Sequence, residues 1–75
     1  MSDLKKLVGR RIRAMRKAKG WSQATLAERA GMVDSYVAGI ERGERNISLE
    51  SLEKIVRALE AEPVDAFRFG DLELG

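Results

Sequence analysis

The stretch that decides the fold is QATLAERAGMVDSYVAGIER, residues 23–42. Ser22, immediately before it, is a favourable helix N-cap, and Gly31 tolerates the left-handed backbone of a turn. Apolar residues recur at helical spacing on both sides of this glycine. The stretch therefore predicts two short helices separated by a turn, the second of which runs from residue 33 or 34 to 42.

This helix pair has the residues that a helix-turn-helix requires. Two helices that meet at a sharp angle need a small residue where their axes approach, and Ala27 supplies it. The second helix needs apolar residues that face inward, and these are Val37 and Ile40, while Leu26 and Met32 close the same small core. In such a motif the second helix projects into the DNA major groove.

Three further helices are expected around this pair. Helix one spans about 3–19, with apolar residues at helical spacing and basic residues between them. Helix four follows the N-cap Ser48, and Pro63 suits the first turn of a last helix, residues 63–69. No segment alternates long enough to predict a strand. The sequence thus predicts one compact all-α domain of five helices over residues 1–75.

The composition excludes several kinds of chemistry. The 75 residues include neither cysteine nor histidine, which rules out a disulfide framework, thiolate or imidazole metal sites and the nucleophiles or bases built on them. No carboxylates are paired with a nucleophile, so an enzyme is not expected, and neither is a cofactor or a metal. No apolar run approaches the roughly 18 residues of a membrane span, and the N-terminus lacks a secretory signal. We therefore expect a cytoplasmic protein without a membrane partner.

Charge is unevenly distributed along the chain. Residues 1–21 hold eight Lys or Arg against one Asp, whereas residues 22–75 hold six Lys or Arg against eleven Asp or Glu. This asymmetry favours a polyanionic partner at one face. A solvated amphipathic helix that is rich in Lys and Arg is the alternative interpretation, and charge alone does not separate the two.

Three segments resemble a known family: WSQATLAERAG (21–31), SYVAGIERGERN (35–46) and SLESLEKIVRAL (48–59). They are similar to the phage repressor/Cro-type helix-turn-helix family of bacterial and phage DNA-binding regulators, and most resemble controller proteins of restriction–modification systems. The resemblance covers roughly residues 4–67. It implies a sequence-specific transcriptional regulator that binds a palindromic double-stranded DNA operator as a homodimer, with helix three in the major groove.

The predicted DNA-contacting residues begin helix two, line the exposed side of helix three and follow it in a loop. They are Gln23, Asp34, Ser35, Tyr36, Ala38, Gly39, Arg42, Arg45 and Asn46. Gln23 is expected to contact a phosphate at the N-terminus of helix two, as the residue at this position does in the family. The small residues of helix three would let its backbone approach base edges closely. The loop residues would meet flanking backbone or minor groove, and one of the two arginines is expected to be a solvated charge instead.

Asp34 departs from the family, which commonly has arginine or glutamine at this position. Its carboxylate could accept a hydrogen bond from cytosine N4, although nearby phosphates would repel it. It could instead cap helix three, because Val33 stands where a Ser or Thr cap is usual. We favour the cap, in which case sequence preference would depend on DNA shape and on Tyr36.

The resemblance also implies a structural role for Arg16 and Glu41. At these positions the family has a partly buried ion pair that joins helix one to helix three.

Dimerisation is expected through the C-terminal part of the chain. A domain of this size is marginally stable alone, and one recognition helix reads few base pairs. The candidate interface residues are Val64, Phe69, Leu72 and Leu74. Phe67 is expected in the core. The alternative is that Phe69 and the leucines cover the core of the monomer.

The expected partners are double-stranded DNA and a second copy of the chain, with RNA polymerase as a further candidate and the nucleoid as the location. An antitoxin-like or other protein-interaction module is the main alternative function. RNA or membrane-surface binding by helix one is a weaker one, since two Phe, one Tyr and one Trp are few for RNA stacking.

Overall fold

The computed structural model describes residues 3–71 of the chain. These residues form four α-helices and two short 3-10 helices: α1 (Leu4–Ala18), α2 (Gln23–Ala30), α3 (Asp34–Glu41), α4 (Leu49–Ala58), then Pro63–Phe67 and Phe69–Asp71. The described part of the chain contains no strand. The result is a compact all-α body that measures 31 × 22 × 19 Å.

The four α-helices lie where the sequence predicts helices, and α2 and α4 begin at the expected caps. Ser22 Oγ accepts a hydrogen bond from the Thr25 amide at 3.0 Å, and Ser48 Oγ accepts one from the Ser51 amide at 3.0 Å. Gly31 adopts the left-handed backbone, φ 71°, at which α2 ends. The serine bonds satisfy amides that the first turn of a helix leaves without a backbone partner.

One hydrophobic core joins all four α-helices to the first 3-10 helix. Its buried side chains are Val8, Ile12, Leu26, Ala27, Ala30, Val37, Ile40, Leu52, Ile55, Val56, Leu59 and Ala66. Met32 and Trp21 are partly buried against this core. The apolar residues that the sequence assigns to the helix-turn-helix thus belong to the general core, which fixes α2 and α3 on the rest of the body.

The expectation of a fifth α-helix is wrong, because Pro63–Phe67 is a 3-10 helix. The amides of Asp65 and Arg68 donate to carbonyls three residues earlier, at 2.9 and 3.3 Å, which is the 3-10 pattern. The Asp65 carbonyl also accepts a bond from Arg11 Nε on α1 at 2.7 Å. At the start, Asp65 Oδ2 accepts a bond from the Glu62 amide at 2.9 Å, and Oδ1 accepts one from Arg68 Nε at 2.8 Å. The first of these bonds and then the second lower the pKa of Asp65. Arg68 then leaves the helical conformation, with φ −88° and ψ 79°, so the segment ends before an α-helical turn can follow.

The change of helix type also moves the two phenylalanines. Phe67, expected in the core, is 45% exposed, so that expectation is wrong. Ala66 takes the core position instead, and Phe69 is partly buried against the core. The two rings meet edge to face, with 6.2 Å between their centroids.

Gly9 sets how closely α1 approaches α3, a contact that the sequence analysis missed. A Cβ atom at this position would collide with the carbonyl oxygen of Ile40 and lie 2.9 Å from that of Glu41. Real Cβ atoms do not approach backbone oxygens this closely, so only glycine fits. The absence of a side chain in the middle of α1 lets the two helices touch backbone to backbone.

We predict that Gly9→Ala destabilises the protein by about 2–3 kcal/mol, measured by urea unfolding. The added methyl must push α1 away from α3, and this cost exceeds the roughly 1 kcal/mol that alanine gains over glycine in a helix. Gly70→Ala is the matched control, because nothing lies within 4 Å of a Cβ there. Equal stability of the two variants would contradict the close approach.

Candidate nucleic-acid interface

The turn between α2 and α3 places α3 at the surface. After Gly31 the Met32 amide donates to the carbonyl of Ala27 at 2.8 Å, which closes the end of α2. Val33 then takes an extended conformation, φ −88° and ψ 149°, and α3 begins at the next residue. The inner side of α3 is held by Val37 and Ile40, so its first turn is left exposed.

Arg16 and Glu41 form a bidentate ion pair between α1 and α3. Arg16 Nε lies 2.7 Å from Glu41 Oε2, and its Nη2 lies 2.9 Å from Oε1, with the two side chains only 10% and 2% exposed. The remaining arginine nitrogen, Nη1, donates to the carbonyl of Trp21 at 2.8 Å. The hydrogen bonds to Glu41 raise the pKa of Arg16 above its usual value, since they favour the charged guanidinium. The guanidinium of Arg16 therefore stays charged.

Gln23, the first residue of α2, is linked to the same pair. Its Nε2 donates to Glu41 Oε1 at 3.0 Å. A primary amide has a second N–H and a carbonyl oxygen, and these remain for another partner. The start of α2 is thus tied to the end of α3, and the predicted phosphate-contacting side chain has a fixed orientation before any ligand arrives.

The preference for Asp34 as the cap of α3 is wrong. The N-cap is Val33, and no side chain caps this helix end. Asp34 is already part of the first turn and is exposed, and its carboxylate makes no capping hydrogen bond. Because a cap residue must precede the helix in a non-helical conformation, Asp34 is one position too late. Its carboxylate and the adjacent Ser35 side chain both face solvent.

The middle of α3 is more covered than the sequence predicts. Gly39 is buried, because the side chain of Arg45 lies over it, so its expected place on the exposed side is wrong. Tyr36 is partly buried, and its hydroxyl lies 3.3 Å from Ser51 Oγ on α4, to which it donates. Ala38 is also only partly exposed. The freely accessible part of α3 is its first turn.

The loop after α3 carries the predicted arginines and Asn46. Arg42 Nε lies 3.0 Å from Glu44 Oε1, and both side chains are more than half exposed, so this pair is weak. Arg45 lies across the surface of α3, with its guanidinium carbon 5.7 Å from the centroid of the Tyr36 ring. Asn46 is exposed. Two arginines thus border α3, one paired with an acid and one held against an aromatic ring.

An apolar surface lies where α1, α4 and the first 3-10 helix meet. Its groove is lined by Leu4, Val8, Ile47, Leu49, Leu52 and Phe67 together with the polar Lys5 and Asn46. Leu49 is 83% exposed, and Val64, which is three residues before Phe67 in the first 3-10 helix, is 57% exposed. Of the residues expected at a dimer interface, Val64 is therefore accessible, Phe69 is partly buried against the core, and Leu72 and Leu74 lie outside the described residues.

Among residues 3–71 no three acidic side chains are grouped as a metal site would need. No helix in the same range has the length and apolar character to cross a bilayer. Each buried side-chain nitrogen or oxygen of these residues has a hydrogen-bond partner.

Comparison with known proteins identifies this arrangement. A family model described as helix-turn-helix matches residues 12–66. Control protein C.BamHI of Bacillus amyloliquefaciens is 38% identical over 69 residues, which cover 91% of this chain and 85% of that protein. The crystal structure of the restriction–modification controller protein C.AhdI from Aeromonas hydrophila matches with a TM-score of 0.84 and 48% identity, over 89% of this chain and 100% of that one.

The chain belongs to the helix-turn-helix family of DNA-binding proteins. It also matches the transcriptional regulator SinR of Bacillus subtilis, with 44% identity over 55 residues that cover 72% of this chain and 50% of SinR. Together the matches make it a transcriptional regulator of the controller-protein type.

We predict that Glu41→Gln destabilises the protein by about 3–5 kcal/mol in urea unfolding, because it leaves the buried Arg16 without its counter-charge. Glu44→Gln is the matched control: its partner Arg42 is exposed, and we expect a change within about 0.5 kcal/mol. Similar losses in the two variants would show that the buried pair contributes no more than a surface pair.

Proposed function

We propose that the protein binds a palindromic operator as a homodimer, with α3 of each subunit in the major groove. The observation that supports this is the exposed first turn of α3. Two side chains are anchored on the rest of that helix: Gln23 is bonded to Glu41, and Arg45 lies on Gly39. A helix-turn-helix reads base edges with the N-terminal residues of its second helix, while its first helix meets the backbone.

The first turn of α3 would supply the base contacts. Ser35 can donate to or accept from either base of a pair, and Ala38 can contact a thymine methyl group. Asp34 does not cap α3 and is exposed, so its carboxylate is available to accept a hydrogen bond from cytosine N4. A small, acidic reading edge of this kind favours a cytosine in the half-site over the guanine that an arginine would select.

The surrounding residues would hold the DNA backbone. The free N–H of the Gln23 amide and the N-terminal amides of α2 suit a phosphate. Arg42, Arg45 and Asn46 would meet the flanking backbone or the minor groove. The basic residues of α1 would add long-range attraction, which is screened by salt.

The second copy would bind at the apolar surface formed by Leu4, Leu49, Val64 and Phe67. These side chains are each 45–83% exposed, which is unusual for large apolar residues gathered on one side of a small domain. Two copies related by a twofold axis would bury this surface and place two α3 helices about 34 Å apart, as successive major grooves of a palindrome require. DNA bound in this way would locate the protein at the nucleoid and adjacent to RNA polymerase at a promoter.

The proposed function is tested by selecting duplexes from a random pool with the purified protein. We expect an inverted repeat whose half-site centres lie about one helical turn apart. Titration of the selected duplex should then show that Arg45→Ala weakens binding and lowers the slope of log affinity against log salt by about one.

Arg57→Ala on α4 is the control for charge, because it removes one arginine outside the proposed interface and should leave the slope unchanged. Absence of binding to any duplex at low salt would overturn the proposed function. A selected site without symmetry would overturn the dimer on DNA.

We also predict that Phe67→Glu converts the protein from dimer to monomer in sedimentation equilibrium at micromolar concentration. The new carboxylate would be buried against apolar side chains of the second copy without a partner. Val33→Asp is the matched control, since Val33 is an exposed apolar residue, 66% accessible, outside this surface. A Phe67→Glu variant that stays dimeric would place the interface elsewhere.

A further inference from the structure

Arg45 reaches across α3 and lies directly on Gly39. A Cβ atom at Gly39 would lie 2.7 Å from Arg45 Cγ, 3.4 Å from its Nε and 3.6 Å from its Cδ. The first of these distances is shorter than real Cβ contacts allow. Any side chain at position 39, even that of alanine, would therefore displace the stem of Arg45.

The backbone brings Arg45 back to this point. Gly43, with φ 74°, turns the chain after α3, and its amide donates to the carbonyl of Ile40 at 3.0 Å. The Glu44 amide then donates to the carbonyl of Gly39 itself at 2.9 Å. The residue before Arg45 is thus bonded to the residue that Arg45 covers, so the loop has a fixed register on α3.

Tyr36 forms the second wall of this position. The Arg45 guanidinium carbon lies 5.7 Å from the centroid of the tyrosine ring, a distance at which a cation is attracted to an aromatic face. The ring cannot turn away freely, because its hydroxyl is bonded to Ser51 on α4. The stem of Arg45 rests on Gly39 and its charge rests near Tyr36.

We propose that Gly39 is a positioning residue for DNA recognition: its missing Cβ forms a seat that holds Arg45 across α3, where the guanidinium is presented to the DNA. This rests on the proposed function, and it assigns Gly39 a role different from close approach of the helix backbone to base edges. An arginine held in advance loses less side-chain entropy on binding. Its planar group can also make two parallel hydrogen bonds to a phosphate or to a guanine edge.

The two roles of Gly39 predict different results in a double-mutant cycle. The cycle uses the wild type, Gly39→Ala, Arg45→Ala and the double variant, titrated against the duplex obtained by selection. If Gly39 acts through Arg45, Gly39→Ala lowers affinity roughly tenfold, within the range for one lost arginine contact, and lowers the salt slope by up to one. In the Arg45→Ala background the same substitution changes affinity less than about twofold.

If Gly39 instead admits the DNA backbone or bases directly, Gly39→Ala lowers affinity by the same factor in both backgrounds, and the proposal is overturned. It is equally overturned if Gly39→Ala binds like the wild type. Urea unfolding of each variant excludes loss of fold as the cause, since alanine is the better helix former at this position.

A DNA-free measurement separates this proposal from the proposed function. In nuclear magnetic resonance spectra of the free protein, the ring current of Tyr36 should shift the side-chain methylene protons of Arg45. We expect Gly39→Ala to abolish these shifts. Tyr36→Leu is the control: it removes the ring and should abolish them too, which assigns them to Tyr36. Retention of the shifts in Gly39→Ala would overturn the seat even if the protein binds DNA. Their loss would support the seat even if no DNA were bound.

Discussion

The ion pair between Arg16 and Glu41 is the interaction on which the rest of the structure depends. An isolated helix of the eight residues of α3 would not be stable in water, so tertiary contacts must hold it. Burying two charges is costly unless further hydrogen bonds stabilise them, and here the Trp21 carbonyl and the Gln23 amide supply such bonds. One network therefore holds together the end of α3, the start of α2 and the last turn of α1.

Two glycines shape α3 from opposite sides. At the back, Gly9 lets α1 touch the carbonyls of Ile40 and Glu41, which fixes the C-terminal end of α3. At the front, Gly39 leaves room for a side chain that comes from outside the helix. The first turn, with Asp34 and Ser35, is free of both constraints and is exposed. A helix that contacts base edges needs this arrangement, in which its C-terminal end is held rigidly and its first turn is accessible to DNA.

Local signals predicted the helices well, because Ser22, Gly31 and Ser48 act through bonds within their own turns. The ion pair came from the resemblance and is present. Errors arose where a distant group decides the outcome. The 3-10 helix after Pro63 is bonded through its Asp65 carbonyl to Arg11 on α1, and Arg45 covers a glycine six positions earlier in the chain. The misplacement of Asp34 is a one-residue error in a helix boundary, the least certain feature in a sequence. Gly9 gave a weak signal, as a glycine inside a strong helix.

The length of α3 limits how much sequence one subunit can distinguish. Eight residues extend only about 12 Å, which corresponds to roughly three or four base pairs along a duplex. A sequence of three or four base pairs recurs by chance throughout any genome. Most of the specificity for an operator must then come from the spacing and relative orientation of its two half-sites. The contact between the subunits sets both quantities. In this protein, the surface between the two subunits, which does not contact DNA, would therefore determine which genomic site is bound.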